Sequence, residues 1–167
     1  TVGKFAYGYF GLGDLFVFIF FGLISVLGSN FLFDSVLEFK LLSPSIVLGL
    51  LSVGVLNLNN MRDIQNDAEC SKKTLAVVLG TQKAKLYHLF ITSFALLLIC
   101  HFQYKLNISS NSLNFLLIIN SLGLVFHMAK VHKVSSPKEY DKYLKVLALH
   151  AFLFSVLISL YFFKIVI

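Results

Sequence analysis

The sequence predicts an all-α, multi-pass transmembrane bundle of about five helices, and three observations predict it. The chain is 57% hydrophobic and only 13% charged, with a mean hydropathy of +0.83. A soluble domain of this length has no core large enough to hide that much apolar surface. Five stretches carry no Asp, Glu, Lys or Arg: residues 15–33, 41–61, 86–104, 106–129 and 146–163. Each is close to the roughly 20 helical residues that cross a hydrocarbon layer of about 30 Å. These runs are far too long for the strands of a membrane barrel, so helices, which satisfy their backbone groups within the segment, are the remaining solution. The expectation is one membrane domain over residues 1–167. Its spans fall at about 14–34, 42–61, 86–104, 112–129 and 145–164, with a polar connection at 62–85.

The elements follow in order. Residues 1–13 are rich in Gly and Tyr, which suits an interfacial connection ending where Asp14 caps the first helix. The first and second spans are joined by a short segment with Asp34, Glu38 and Lys40, and Pro44 then suits the first turn of the second helix. Short connections imply antiparallel neighbours. Ser25 with Ser29, and Ser45 with Gly49, repeat small residues four apart, a spacing that allows close helix approach. Residues 130–145, with the turn signal Ser135-Ser136-Pro137, read as a solvated segment facing lipid headgroups. Taken alternately, one set of connections holds Lys4, then Arg62, Lys72, Lys73, Lys83 and Lys85, then Lys130, Lys133, Lys138, Lys142 and Lys145. The other set holds Lys40, Lys105 and Lys164. The positive-inside rule therefore turns the 62–85 connection toward the cytoplasm. The net charge of +6 is in this setting an orientation signal, and no nucleic-acid partner is expected. Cys70 and Cys100 are too few for a disulfide framework and have no metal-ligand spacing. No cationic segment with a small-residue cleavage site precedes the first apolar run, so no cleavable signal peptide is expected. The opening at Thr1, in a stretch that reads like an interhelical connection, points to a C-terminal fragment.

Chemistry concentrates in Asn57-Leu-Asn-Asn-Met-Arg-Asp-Ile-Gln-Asn-Asp67, where an apolar helix ends in amides, an arginine and two carboxylates. Polar groups at membrane depth are costly and tend to mark function. On a continuous helix Asn60, Asp63 and Asp67 share one face. An oxygen-only donor stripe suits a hard cation such as Mg²⁺, which often shares its ligands with a diphosphate. Arg62, Lys72 and Lys73 then supply positive groups for diphosphate oxygens. The residues alone equally allow a charged helix end with local ion pairs such as Arg62 with Asp67. His88, His101, His127, His132 and His150 are too scattered for a metal cluster and read as hydrogen-bonded bundle residues, with His150 the candidate for a substrate pocket. Most of the 18 Phe residues read as lipid contact or packing, and a few could wall an apolar channel.

The run NLNNMRDIQNDAECSKKTLAVVLG closely resembles the second Asp-rich motif of the UbiA superfamily of intramembrane prenyltransferases. The form it resembles is N-N-x-R-D-x-x-x-D-x-x-x-G-K-x-T-L-x-V-x-x-G, that of the dihydroxynaphthoate polyprenyltransferases. Asn59, Asn60, Arg62, Asp63, Asp67, Lys72, Thr74, Leu75, Val77 and Gly80 match it. GYFGLGDLFVFIFFGLISVLG resembles the segment before the family's fifth helix, and YLKVLALHAFLF its last helix. One departure is Ser71, where the family usually has Gly.

The resemblance implies the last five helices of a nine-helix fold in a bacterial cytoplasmic (inner) membrane. It implies Mg²⁺-dependent transfer from a polyprenyl diphosphate to 1,4-dihydroxy-2-naphthoate, with release of diphosphate and CO₂, giving demethylmenaquinone in menaquinone biosynthesis. Asp63, Asp67 and Arg62 would be catalytic, Asp63, Asp67 and Asn60 would hold the metal, and Asn60, Arg62, Lys72 and Lys73 the diphosphate. The family's first Asp-rich motif has no counterpart in residues 1–167, so this half alone is expected to be inactive. Other aromatic acceptors remain alternatives, as does a non-catalytic membrane subunit or transporter component.

Overall fold

The computed structural model describes residues 11–106 and 111–166. Every regular element among the described residues is helical, as expected. The first helix, α1, spans Gly13–Asp34 and changes pitch along its length: α-helical at Gly13–Val17, π-type at Phe18–Gly28 and α-helical again at Ser29–Asp34. A 3₁₀ turn at Phe39–Leu41 leads into α2, Leu42–Arg62. Then come the short α3, Ile64–Glu69, the long α4, Leu75–Leu106, and α5, Asn111–His132. A second 3₁₀ turn, Pro137–Glu139, opens α6, Tyr140–Val166. All but α3 are long and apolar enough to cross a membrane, five helices in total.

Much of the 62–85 stretch is helical: Asp67 and Glu69 lie on α3 and Lys83 and Lys85 on α4, with Lys72 and Lys73 in the turn between them. Gly80 interrupts α4 at φ 74°, ψ 162°, a conformation essentially open to glycine alone. The ladder breaks there and α4 takes a new direction into the bundle.

The centre of the bundle is α2, which packs against α1, α4 and α6. Half of its most apolar window is buried within the chain, against 6% for α1. Val47, Leu51, Leu58 and Met61 of α2 are fully buried, among Ala84, Ala95 and Ile99 of α4 and Leu147 of α6. Pro44 falls in the first turn of α2, where no backbone donor is needed.

Small residues set the α1–α2 crossing. A Cβ at Gly22 would lie 2.6 Å from the Gly49 Cα and 2.8 Å from the Ser45 carbonyl oxygen, so the two backbones are nearly in contact. Ser45 and Gly49 thus act as the spacing predicts. Ser25 and Ser29 do not, because both are exposed, with their hydroxyls donating to their own helix, Ser25 to the Phe21 carbonyl and Ser29 to the Ser25 carbonyl, both at 2.6 Å. Phe31 and Phe33 of α1 line neither cavity and are exposed, which suits a helix whose solvent is lipid.

Candidate functional site

The site is the far end of α2 and the turn that follows it. Asn57 is buried and donates from Nδ2 to the Ala84 carbonyl at 3.0 Å, tying α2 to α4 one turn before the charged residues begin. The helix is interrupted at Asp63 (φ −98°, ψ 10°), yet the hydrogen bonds carry across it. The Asp63 amide donates to the Asn59 carbonyl at 3.0 Å and the Asp67 amide to the Asp63 carbonyl at 2.8 Å. Asp63 and Asp67 thereby stay one turn apart.

Next, the chain is folded back by a Schellman turn. The Lys72 amide donates to the Asp67 carbonyl at 2.8 Å and the Ser71 amide to the Ala68 carbonyl at 3.1 Å, with Ser71 left-handed at φ 56°. This is the position where the resembled motif has Gly, and the geometry gives the reason: only glycine adopts such a φ without penalty. The reversal brings the Lys72 ammonium onto the Asp67 carboxylate, at 3.0 and 3.1 Å from its two oxygens. Thr74 then caps α4, accepting the Val77 amide at 3.3 Å.

Arg62 works on the other side. Its Nε and Nη2 donate to the two Asp63 oxygens, each at 2.8 Å, a bidentate pair that matches the planar guanidinium to the carboxylate. Nη2 also donates to the Asn59 amide oxygen at 2.8 Å, and Nη1 reaches Asp141 in the first turn of α6 at 3.1 Å. Asp141 in turn pairs with Lys145 at 2.6 Å. Hydrogen bonds from Arg62 hold the Asp63 carboxyl below the usual carboxylate range, with the Arg62 and Lys72 charges acting in the same direction. The local pairing of Arg62 with Asp67 is not formed. Arg62 pairs with Asp63 and Asp141, because the fold-back of Lys72 occupies Asp67. Residues 137–145 are likewise more than a headgroup-facing segment, since Asp141 joins the network.

The two carboxylates sit differently. Asp67 is 7% exposed at its side chain and Asp63 35%. Asn60 is buried, while Lys73 is exposed and makes no ion pair among the described residues. Two cavities flank this end of α2 and share Val17, Phe21 and Leu56 in their walls. One, of about 410 Å³, reaches Asn60, Lys72 and Thr74. The other, of about 430 Å³, has Asn59 at one side and the apolar Leu144, Ala148 and Ala151 of α6 at the other.

Some placements were not foreseen. Asp14 does not cap the first helix: it lies within the first turn, buried, and accepts a hydrogen bond from the Tyr87 hydroxyl at 3.0 Å. His150 lines neither cavity, because its ring is packed against Gly123 of α5 with Nδ1 2.7 Å from the Asn120 amide oxygen. His88 and His127 meet in the core, Nε2 to Nε2 at 3.2 Å. No sequence spacing could have paired residues on separate helices. The i, i+4 relation of Asp141 and Lys145 was a visible signal, but it says nothing of Arg62.

Among the described residues no three His, Cys, Asp or Glu side chains gather as a metal-binding group. The chain offers two carboxylates one turn apart, with the Asn59 and Asn60 amides beside them. That set does not make an all-protein cage. It fits Mg²⁺, which is usually bound through one or two carboxylates and completes its shell with water and substrate phosphate oxygens.

Residues 2–163 match the profile of the UbiA prenyltransferase family. The chain belongs to that family. Among UbiA relatives it is similar to the 1,4-dihydroxy-2-naphthoate octaprenyltransferase of Haemophilus influenzae, 37% identical over 160 residues, covering 96% of this chain and 51% of that protein. It is 50% identical over 88 residues to the Escherichia coli protein of the same name, covering 53% of this chain and 29% of the relative. A Dictyostelium discoideum UbiA prenyltransferase domain-containing protein 1 is 36% identical over 115 residues, 66% of this chain and 33% of that one. The chain thus spans about half the length of its Haemophilus influenzae relative. No solved structure gives a significant match.

Proposed function

We propose that the protein, at its full length, transfers a polyprenyl group from a polyprenyl diphosphate to 1,4-dihydroxy-2-naphthoate. Diphosphate and CO₂ leave, and demethylmenaquinone forms first in its reduced, quinol state. The carrying observation is the pair Asp63 and Asp67, one turn apart, each held by a cation of the same motif. The names of the bacterial relatives support the choice of acceptor. The clustering of Lys and Arg on one set of connections supports a cytoplasmic membrane with the motif facing the cytoplasm.

In this reading the allylic C–O bond breaks and its electron pair departs with the diphosphate. The ring carbon bearing the carboxylate supplies the pair for the new C–C bond, and loss of that carboxylate as CO₂ returns a pair to the ring. Asp63, Asp67 and Asn60 would hold Mg²⁺, whose charge, shared with the diphosphate, offsets the negative charge that builds on the leaving group. Arg62, Lys72 and Lys73 bind diphosphate oxygens, and Asn59 orients Arg62 through the 2.8 Å hydrogen bond it accepts. The apolar cavity beside Leu144, Ala148 and Ala151 suits the prenyl chain and keeps water from the cation. The partner group for completing the site is a first Asp-rich motif outside residues 1–167.

The test is Asp63→Ala and Asp67→Ala in the full-length protein in membranes. Each is expected to lower prenyl transfer by on the order of 10²–10³ while the protein still inserts. Mg²⁺-dependent transfer surviving in both variants would overturn the reading.

A further inference from the structure

A second carboxylate site lies in the first cavity, away from the Asp63–Arg62 network. Asp14 is 8% exposed and sits at the start of a membrane span, where an ionisable group is costly and calls for a use. Its side chain is held by the Tyr87 hydroxyl of α4 at 3.0 Å, and no cation pairs with it among the described residues. It nevertheless lines the same cavity as Asn60, Lys72 and Thr74, of about 410 Å³, within the roughly 300–1,000 Å³ typical of small-molecule pockets. Phe16 and Phe20 stack at 6.1 Å between centroids and form part of the same wall.

This lining is selective in a simple way. A carboxylate repels diphosphate oxygens but accepts hydrogen bonds from hydroxyl groups. The Phe16 and Phe20 rings suit a flat aromatic body. The cavity also carries a cationic group, Lys72, and a hydroxyl, Thr74, that can receive an anionic substituent. A flat aromatic acid with ring hydroxyls presents both kinds of group. We propose that this cavity is the acceptor subsite and that Asp14, oriented by Tyr87, receives a ring hydroxyl of the aromatic acceptor. The proposal rests on the prenyl-transfer reading and adds where the acceptor binds and which residue selects its hydroxyl. Asp67 and Asp63, which would hold the metal, serve the diphosphate through it, so the two substrates meet near Lys72.

The experiment uses the full-length protein in membranes with Asp14→Asn and Tyr87→Phe. KM is measured separately for 1,4-dihydroxy-2-naphthoate and for polyprenyl diphosphate, and equilibrium binding of the fluorescent dihydroxynaphthoate is read without turnover. Asp14→Asn is expected to raise the acceptor KM and Kd about tenfold or more, the loss of a hydrogen bond to a charged group. The diphosphate KM should stay within about twofold. Wild-type protein should prefer the dihydroxy compound over 2-naphthoate, and the variant should lose most of that preference. Tyr87→Phe, which keeps the ring, is expected to move the acceptor constants a few-fold in the same direction, and it carries the test if Asp14→Asn does not accumulate. Unchanged acceptor binding in the variants, or equal changes for both substrates, would overturn the proposal. Activity surviving Asp63→Ala and Asp67→Ala would instead overturn the transfer reading, and the binding measurement would still decide the acceptor subsite.

Discussion

At the Phe39–Leu42 end of α2, Glu38 and Lys40 pair with each other two residues apart, and the Lys40 ammonium lies 5.5 Å over the Phe162 ring. At the Asn57–Arg62 end, one guanidinium spreads its donors over Asp63, Asn59 and Asp141, and a second cation closes on a buried carboxylate. Both ends are charged termini of one apolar helix. The first is a solvated pair of sequence neighbours, the kind worth little to stability. The second recruits an acceptor from α6 and sits against two cavities, so its charges are oriented before any substrate arrives. A charged helix end becomes a candidate site through partners on other elements, not through its own composition.

The largest break in this contrast should come from Asp67→Ala, which removes a proposed metal ligand and leaves Lys72 without its partner. Prenyl transfer should fall by on the order of 10²–10³, whereas Glu38→Gln with Lys40→Gln should leave it unchanged in the same assay. Backbone changes come next. Gly80→Ala meets no neighbour within 4 Å, so its cost is purely conformational, about 1–3 kcal/mol, read as a lower Tm in detergent. Gly22→Leu should cost a similar amount, about 1–3 kcal/mol, by the opposite mechanism, forcing the α1 and α2 backbones apart. Comparable loss of Tm on replacing half-buried Gly28, whose added Cβ would meet only Ile24 at 3.5 Å, would remove the argument from close packing.

Smaller effects sharpen the comparison. Asp141→Asn frees one arm of Arg62 while the bidentate pair with Asp63 persists, so transfer should drop only a few-fold, the scale of one partly exposed ion pair. Ser71→Gly should raise stability by up to about 1 kcal/mol, since the φ of 56° favours glycine and glycine's own entropy cost offsets part of the gain. The pH effect is smaller still. The folded pKa of Asp63 lies below the ordinary value of about 3.9. Its contribution is therefore complete above about pH 4 and fades as pH falls through the lowered value. The Tm difference between wild type and Asp63→Asn should be constant from pH 7 down to about 4 and shrink below it.

The membrane bundle was legible because hydropathy and the length of charge-free runs are local properties of the chain. The motif residues were legible for a similar reason: Asp63, Asp67, Arg62 and Lys72 stand within eleven positions of one another. Even the odd residue in the motif, Ser71, marked the place where the backbone is left-handed. The acid at position 14 was legible as a residue but not in its role, because its partner Tyr87 is 73 residues away. His88 and His127 read as scattered for the same reason, being 39 residues apart in sequence and 3.2 Å apart in space.

By itself the sequence determined that this is a helical membrane protein with five apolar runs and that its polar chemistry sits at the end of the second one. Only the tertiary structure decided which charge meets which. It turned Lys72 back onto Asp67 through a Schellman turn, and brought Asp141 to Arg62 across 79 residues. The reason is that burial of apolar length depends on composition along the chain, whereas an ion pair or a hydrogen bond needs two groups within about 3 Å, a distance set by helix crossings that no single segment encodes.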